Sequence, residues 1–140
     1  MIERYKILGK YIKDMSIETP DIETYIFVKD QISKYQLDID INSRALKDKM
    51  IEINTILKFE DKKENKKKSY FEINFATIVK INDDVKEKKD LEKIILCDVQ
   101  IEIYPFLEKA LLDLLHNSGY NNVKFEKKVN FEELYNQRLN

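Results

Sequence analysis

Four stretches of the chain alternate apolar and polar residues, the pattern typical of strands that bury one face. The clearest stretch, Lys34–Asn42, reads KYQLDIDIN. Its odd-numbered residues in the chain, Tyr35, Leu37, Ile39 and Ile41, are all apolar. Lys49–Phe59, Ser69–Ile81 and Tyr5–Glu18 repeat the pattern less strictly. The polar link Glu60–Lys68 predicts an exposed hairpin loop between two of these strands. The first part of the chain therefore predicts four strands.

The segment between the first two predicted strands, Thr19–Ser33, is longer than a usual hairpin link. It is nevertheless rich in apolar residues, namely Ile22, Tyr25, Ile26, Phe27 and Val28. Two interpretations stay open. The segment is either a crossover with a binding role or a plug over the open end of the core.

After a charged loop the apolar spacing becomes helical. Leu91–His116 carries one apolar stripe, and Gly119 follows it as expected of a helix C-cap. Because Pro105 should break this helix, we expect an irregular part up to Tyr104 and then a helix with Pro105 in its first turn. The stripe is wide enough to contact more than one surface, which indicates oligomerisation.

A second helix is predicted to open at Asn130, whose side chain can cap it together with Glu133, and to run through Leu139. The elements together predict an α+β fold. Four antiparallel strands form one sheet, with a crossover between strands 1 and 2, and two C-terminal helices pack on one face. A length of 140 residues fits a single domain over residues 1–140.

Composition narrows the class of protein. The chain is 43% hydrophobic and 36% charged, so it can bury a core. Its net charge of -1 provides no global field to attract nucleic acid or an anionic membrane. The single Cys97 favours a reducing compartment, and no apolar run approaches the roughly 20 residues of a membrane span. We therefore expect a cytoplasmic protein without nucleic-acid binding or membrane insertion.

Residue types that carry catalysis are scarce. His116 is the one histidine, and the sequence places no Cys or Ser partner beside it. Phosphate-binding glycine motifs, zincin motifs and metal-ligand spacings are absent, so we expect no enzyme, metal or cofactor. The basic run Lys62–Lys68 has no interleaved aromatic residues and is interpreted as a solvated loop. A binding protein is favoured over a ligand-pocket enzyme or a purely structural oligomerisation module.

One binding surface can be predicted from strand geometry. Asp14 and Glu18 lie four residues apart on one face of the first strand, and Tyr70 and Glu72 point outward from the fourth. If the strands share a sheet, this face is acidic and suits a basic partner. The alternative is an ordinary polar face turned to water.

The order and spacing of several motifs resemble the SecB family, bacterial chaperones that carry unfolded precursors to the export motor. The motifs are Tyr11-Ile12-Lys13-Asp14-Met15-Ser16-Ile17-Glu18-Thr19-Pro20, Phe27-Val28-Lys29-Asp30, Leu37-Asp38-Ile39-Asp40, Tyr104-Pro105-Phe106, and Val129-Asn130-Phe131 with Leu134-Tyr135. The resemblance covers roughly residues 4–139. It implies an ATP-independent holdase, or a SecB-like chaperone of a toxin–antitoxin system.

The same resemblance implies an assembly and a client site. SecB-like chains pair through the first strand and join two dimers into a homotetramer through their long helices. The residues expected at these contacts are Tyr11, Phe106, Leu111, Leu114 and Leu115. Clients bind in apolar grooves walled here by Ile22–Ile32 and Tyr120–Val129. The expected groove residues are Ile22, Tyr25, Ile26, Phe27, Tyr120, Val123, Phe125 and Phe131.

The resemblance also implies a partner, the motor SecA, whose basic zinc-bearing tail docks on the outer sheet face. The matching positions are Asp14, Glu18, Tyr70 and Glu72. The chain departs from the family pattern at the crossover tryptophan (Gln31), the proline after it (Ser33) and the paired glycines of strand 4 (Ala76, Thr77). The family's acidic C-terminal tail has no counterpart here, from which we expect weaker SecA affinity.

Overall fold

The four alternating stretches form one antiparallel sheet. In a computed structural model, which describes residues 4–63, 67–125 and 127–138, the strands are β1 (Tyr5–Glu18), β2 (Gln36–Ala45), β3 (Met50–Glu60) and β4 (Tyr70–Ile81). Their order across the sheet is β1-β4-β3-β2. The chain thus crosses from one edge strand to the other between β1 and β2. The predicted sheet is confirmed, while residues 64–66 of the predicted hairpin loop lie outside the described part.

Two irregularities bend β1 against β4. The register shifts between Ile7 and Gly9 and again between Ile12 and Asp14. Each shift adds one unpaired residue, which changes the side-chain alternation along the strand. As a result Ile12 and Met15, three residues apart, both pair with β4 positions on the helix-covered face.

The crossover contains a helix that the sequence did not predict, α1 (Ile22–Gln31), followed by a 3-10 turn. Asp21 caps it, because its Oδ1 accepts the Thr24 backbone N–H at 2.8 Å. Hydrogen bonding to Thr24, through its side chain first and then its backbone N–H, lowers the pKa of the Asp21 carboxyl. Thr24 and Val28 are buried while Ile22 remains exposed, so the apolar residues do not form one stripe. The sequence of α1 therefore lacks the single apolar stripe from which a helix is usually predicted.

The long helix is continuous from residue 88 to 117. It comprises α2 (Lys88–Lys93), a π-helical turn (Ile94–Asp98) and α3 (Val99–Asn117). The expected irregular part before Pro105 is therefore wrong, since Pro105 lies inside α3. Ile101 and Pro105 are both exposed, so water can reach the Ile101 carbonyl that loses its backbone partner.

A buried polar contact orients this helix on the sheet. The Thr55 hydroxyl of β3 donates to Gln100 Oε1 at 2.9 Å, and Gln100 Nε2 donates to the Ile95 carbonyl at 3.1 Å. The other buried contacts between the sheet and the helices are mainly apolar. The pair therefore fixes the rotation of the π-helical turn relative to β3.

The predicted end of α3 and the predicted start of the last helix are confirmed. Gly119 follows α3 with a φ of +98°, the left-handed conformation that favours glycine. The last helix, α4 (Phe131–Arg138), is capped by Asn130, whose Oδ1 accepts the Glu133 backbone N–H at 3.0 Å. Leu139, the expected end of this helix, lies outside the described residues. The fold is α+β, with the helices on one face of the sheet as predicted.

The outer sheet face departs from expectation at two positions. Glu52 and Asn54 point away from the helices, as their place in the alternation predicts, yet both are buried. Neighbouring side chains, among them Lys13 and Arg44 around Glu52 and Asn42 beside Asn54, cover them. Alternation gives the direction of a side chain but not its exposure.

Candidate binding surfaces

An apolar groove of about 760 Å³ runs between the helix-side face of β2 and the segment that joins α3 to α4. The helix-side face of β2 forms its floor. Within the described residues β2 is an edge strand, so no further strand lies beyond its outer edge. The apolar residues that line it are Ile32, Tyr35, Leu37, Ile39, Phe59, Val123, Phe125 and Val129.

A second depression of about 220 Å³ continues along the same strand. Ile39 lines both cavities, and Ile41, Leu96 and Leu134 extend the second one. The apolar floor from Tyr35 to Ile41 covers six residue steps, or about 20 Å of strand. This length suits an extended peptide better than a compact small molecule. We call the two depressions together the β2 groove.

Aromatic contacts hold the far wall of the groove. The Phe125 ring meets Phe59 edge-on at 5.5 Å between centroids, and Phe59 lies 5.6 Å from Tyr35. His116 Nε2 lies 3.0 Å from the Val123 carbonyl oxygen, within hydrogen-bonding distance. The segment is thus fixed to both the sheet and α3.

Gly119 lets α1 approach the start of this wall. The Tyr25 hydroxyl donates to the Gly119 carbonyl at 2.9 Å, and the Tyr25 ring lies 5.4 Å from that of Tyr120. A Cβ at position 119 would lie only 2.7 Å from a Tyr25 ring carbon. Glycine is therefore required there both for φ and for space.

A hydroxyl network lies behind the wall. Tyr120, Ser69 and Thr19 join their side-chain oxygens over 2.7 to 3.2 Å, and the Ser69 backbone N–H donates to the Tyr35 hydroxyl at 3.1 Å. Burial raises the pKa of Tyr35. The Tyr35 phenol therefore stays neutral and acts as a structural hydrogen-bonding group.

The eight residues expected in the groove divide into three sets. Val123 and Phe125 line it, and Phe131 is a buried residue at the second depression. Tyr25 and Tyr120 lie behind the wall. The assignment of Tyr120 as a contact surface is corrected, because the side chain is buried.

The remaining three expected residues, on α1, do not line the β2 groove. Ile22 is exposed, and Ile26 and Phe27 line a separate depression with Lys67. The sequence missed the floor residues Tyr35, Leu37 and Ile39. Their alternation predicted a buried face, but the order of strands, which leaves that face partly open, has no signal in a single sequence.

The outer face brings the four expected acidic-surface residues together. Glu18 pairs with Tyr70 across β1 and β4, and Ser16 pairs with Glu72. Asp14 lies two residues from Ser16, whose hydroxyl donates to Asp14 Oδ2 at 3.0 Å. Desolvation, followed by hydrogen bonding to Glu72, raises the pKa of Tyr70. Lys58 Nζ lies 3.7 Å from Glu72 Oε1, so one carboxylate is partly neutralised within the chain.

A charged cluster lies further along the same face. Glu52 accepts hydrogen bonds from Lys13 at 3.0 Å and Arg44 at 2.6 Å, and its side chain is 7% exposed. These two contacts, with Lys13 the larger cause, lower its pKa to about 2. Lys13 belongs to the second irregularity of β1, so Glu52 ties all of β1, β3 and β2 together.

The five expected intersubunit residues also divide. Tyr11 on β1 is exposed, Phe106 on α3 is 51% exposed, and Leu114 is half-buried. Leu111 and Leu115 are fully buried in the subunit's own core, which corrects their assignment to an intersubunit surface. Part of the wide stripe simply faces the sheet and the neighbouring segments.

The exposed apolar surface beside Phe106 comes instead from β1. Ile12, Met15 and Ile17 are exposed on the helix side of this edge strand, and Ile101 is exposed on α3. We call these four residues, with Phe106, the β1 patch. Alternation after Lys13 already sets Met15 and Ile17 opposite Asp14, but Ile12 lies on their side only because of the second register shift, which alternation does not reveal.

No helix in the described ranges is long and apolar enough to cross a membrane. Within these same ranges, no three His, Cys, Asp or Glu side chains are arranged to hold a metal ion.

A family model described as preprotein translocase subunit SecB matches residues 2–140. The chain belongs to the SecB family. A SecB-named protein of Pelagibacter ubique (strain HTCC1062) is 60% identical over 140 residues, which cover 100% of both chains. A protein-export protein SecB of Parvibaculum lavamentivorans is 23% identical, over 95% of this chain and 77% of the relative.

A solved SecB-like chaperone has the same fold. It comes from Mycobacterium tuberculosis and was determined in complex with a ChAD peptide from the HigA1 antitoxin. The TM-score is 0.63 at 12% sequence identity, over 89% of this chain and 91% of the other. The resemblance to SecB is therefore confirmed in both sequence and fold. SecB proteins are protein-export chaperones, so the chain is a chaperone of this class and not an enzyme.

Proposed function

We propose that the chain is an ATP-independent holdase that binds unfolded precursor proteins in the cytoplasm and delivers them to SecA. The observation that supports client binding is the β2 groove, an apolar floor about 20 Å long on an edge strand. Its lining is mainly apolar, so it suits exposed hydrophobic segments without reading their sequence. Folded proteins bury such segments and would not bind.

Groove variants test this proposal. Leu37→Gln and Phe125→Ser should weaken the binding of a denatured precursor, because both remove apolar surface from the groove. Ile26→Ser is the matched control, since Ile26 is 59% exposed and lies outside the β2 groove. Anisotropy of a labelled precursor gives the dissociation constants. Equal binding by all three variants and the parent chain would contradict this site.

The SecA part of the proposal rests on the acidic residues of the outer face, which points away from the β2 groove. The combined change Asp14→Asn, Glu18→Gln and Glu72→Gln should abolish binding of the SecA tail while client capture stays unchanged. Binding of the parent chain should weaken with salt, because screening shortens to about 8 Å near physiological ionic strength.

A matched triple variant removes the same charge elsewhere, at the exposed residues Asp84, Glu87 and Asp113. It should leave tail binding intact. If the two triple variants lose tail affinity equally, the effect comes from net charge, and the proposed docking surface is wrong.

We further propose that the chain forms a homotetramer as a dimer of dimers. The β1 patch supports this, because an exposed edge strand with apolar side chains is normally paired or covered. Met15→Asp should give smaller species in light scattering, whereas Ile26→Asp, at an exposed position on α1, should not. A monomeric parent chain at micromolar concentration would refute the proposal.

A further inference from the structure

The β2 groove has a basic rim. Four of the side chains that line its larger depression are lysines, Lys29 on α1 and Lys124, Lys127 and Lys128 on the far wall. The described lining of that depression includes no acidic residue. The charged side chains described around the larger, mainly apolar depression are therefore all positive, whereas Asp40 lines the smaller one.

Among the residues that the structure describes, no acidic side chain pairs with these lysines. Within residues 4–63, 67–125 and 127–138, none of the four has an ion-pair partner, although Lys13, Lys49, Lys58 and Lys62 each do. All four lysines are exposed. The chain as a whole has 25 basic and 26 acidic residues, so the rim is a local excess of positive charge and does not reflect composition.

We propose that the groove selects extended segments that combine apolar residues with carboxylates, and that it disfavours segments rich in Lys and Arg. The inference rests on the proposed client binding and names its preferred substrate class. In an extended peptide, alternate side chains point to opposite sides. One set can therefore contact the apolar floor while the other set reaches the lysines at the rim.

The size of the preference follows from exposed ion pairs. One such pair changes an equilibrium by about 1.4- to 5-fold, so two or three pairs change affinity by about ten-fold. Because the lysines are exposed, salt should screen the effect. The apolar contribution should persist at high salt.

Three labelled peptides test the proposal with the full chain. They share one length and one set of apolar residues at alternate positions, and the positions between are Asp, Asn or Lys. Anisotropy titrations near 50 mM and 500 mM salt give each dissociation constant. The Asp peptide should bind about ten-fold more tightly than the Lys peptide at low salt, and this ratio should shrink at high salt.

A variant assigns the preference to the rim. Changing Lys124, Lys127 and Lys128 together to Gln should remove most of the ratio between the Asp and Lys peptides, and the uncharged Asn peptide reports any separate change in the apolar contacts. The control changes three exposed lysines elsewhere, Lys47, Lys86 and Lys89, to Gln, and it should keep the ratio.

The outcomes separate the two proposals. Equal affinity for all three peptides, or a ratio that survives in the rim variant, overturns the charge preference while client binding stands. If no peptide binds and a denatured precursor does not bind either, the proposed function itself is overturned.

Discussion

Replacing Glu52 by glutamine should destabilise the folded chain by about 1–2 kcal/mol near neutral pH. Glu52 is nearly inaccessible to water and accepts hydrogen bonds from two cations. Glutamine keeps the shape of the side chain but loses its charge. Lys13 and Arg44 remain partly exposed, so water can solvate them in the variant.

The pKa of Glu52 indicates the size of the loss. It falls from an ordinary 4.5 to about 2, chiefly through the hydrogen bond from Lys13 and then that from Arg44. Because one pKa unit corresponds to about 1.4 kcal/mol, the charged form contributes on the order of 3 kcal/mol. The neutral amide of glutamine can still accept a hydrogen bond, so part of this stabilisation remains in the variant.

The loss should depend on pH in a defined direction. A carboxyl whose pKa is lower in the folded state stabilises the fold fully above its unfolded value, and this contribution is lost as the pH falls toward the folded value. The parent chain and Glu52→Gln should therefore differ most at pH 7. Their free energies of unfolding should converge as the pH falls from about 4.5 toward 2.

Urea unfolding at one protomer concentration measures this difference, since association would otherwise shift the midpoint. Glu72→Gln is the matched control, because Glu72 has only a 3.7 Å contact with Lys58 and its side chain is 24% exposed. It should change stability by less than about 1 kcal/mol. A Glu52→Gln variant as stable as this control at pH 7, or a difference that grows in acid, would refute the reasoning.

Three further changes test how the groove and helices are held. Gly119→Ala should cost about 2 kcal/mol in urea unfolding, because its φ is +98° and the new Cβ would meet Tyr25. Gln100→Leu should cost about 1–3 kcal/mol, since it leaves the Thr55 hydroxyl buried without its acceptor. The same replacement at an exposed glutamine, Gln36→Leu, should not carry this cost. Asn130→Ala should cost about 0.5–2 kcal/mol by removing the α4 cap, whereas a change at Asn117 should have little effect.

The sheet could be predicted because each strand buries one face. In β2 the odd-numbered residues from Leu37 to Ile41 face the helices, as the alternation indicates. The end of α3 and the start of α4 could also be predicted, because glycine favours the left-handed C-cap conformation and asparagine can cap a helix N-terminus. Gly119 and Asn130 are these residues. Local periodicity and capping thus account for most of the secondary structure.

Other features depend on contacts that periodicity does not encode. The helix α1 has buried and exposed apolar residues on different sides, so its sequence lacked a clear stripe. Leu111 and Leu115 belong to an apolar stripe that looked wide enough for a partner, yet the subunit itself covers them. Neither the order of strands nor the coverage of a helix face follows from spacing alone.

The same limit applies to the binding surfaces. Asp14 and Glu72 could be placed on one face from alternation, and the register brings their strands together. The floor of the β2 groove, by contrast, became visible only once β2 was known to be an edge strand. Its residues carry the pattern of an ordinary core face.

Binding of unfolded precursors through an apolar groove is the function proposed for this chain. The most direct measurement mixes one slow-folding precursor with the chain twice, once freshly diluted from denaturant and once already folded, and separates complexes by size. A holdase should form a complex with the denatured precursor and delay its refolding, and it should form no complex with the folded form. Equal capture of both forms, or capture of neither, would contradict it.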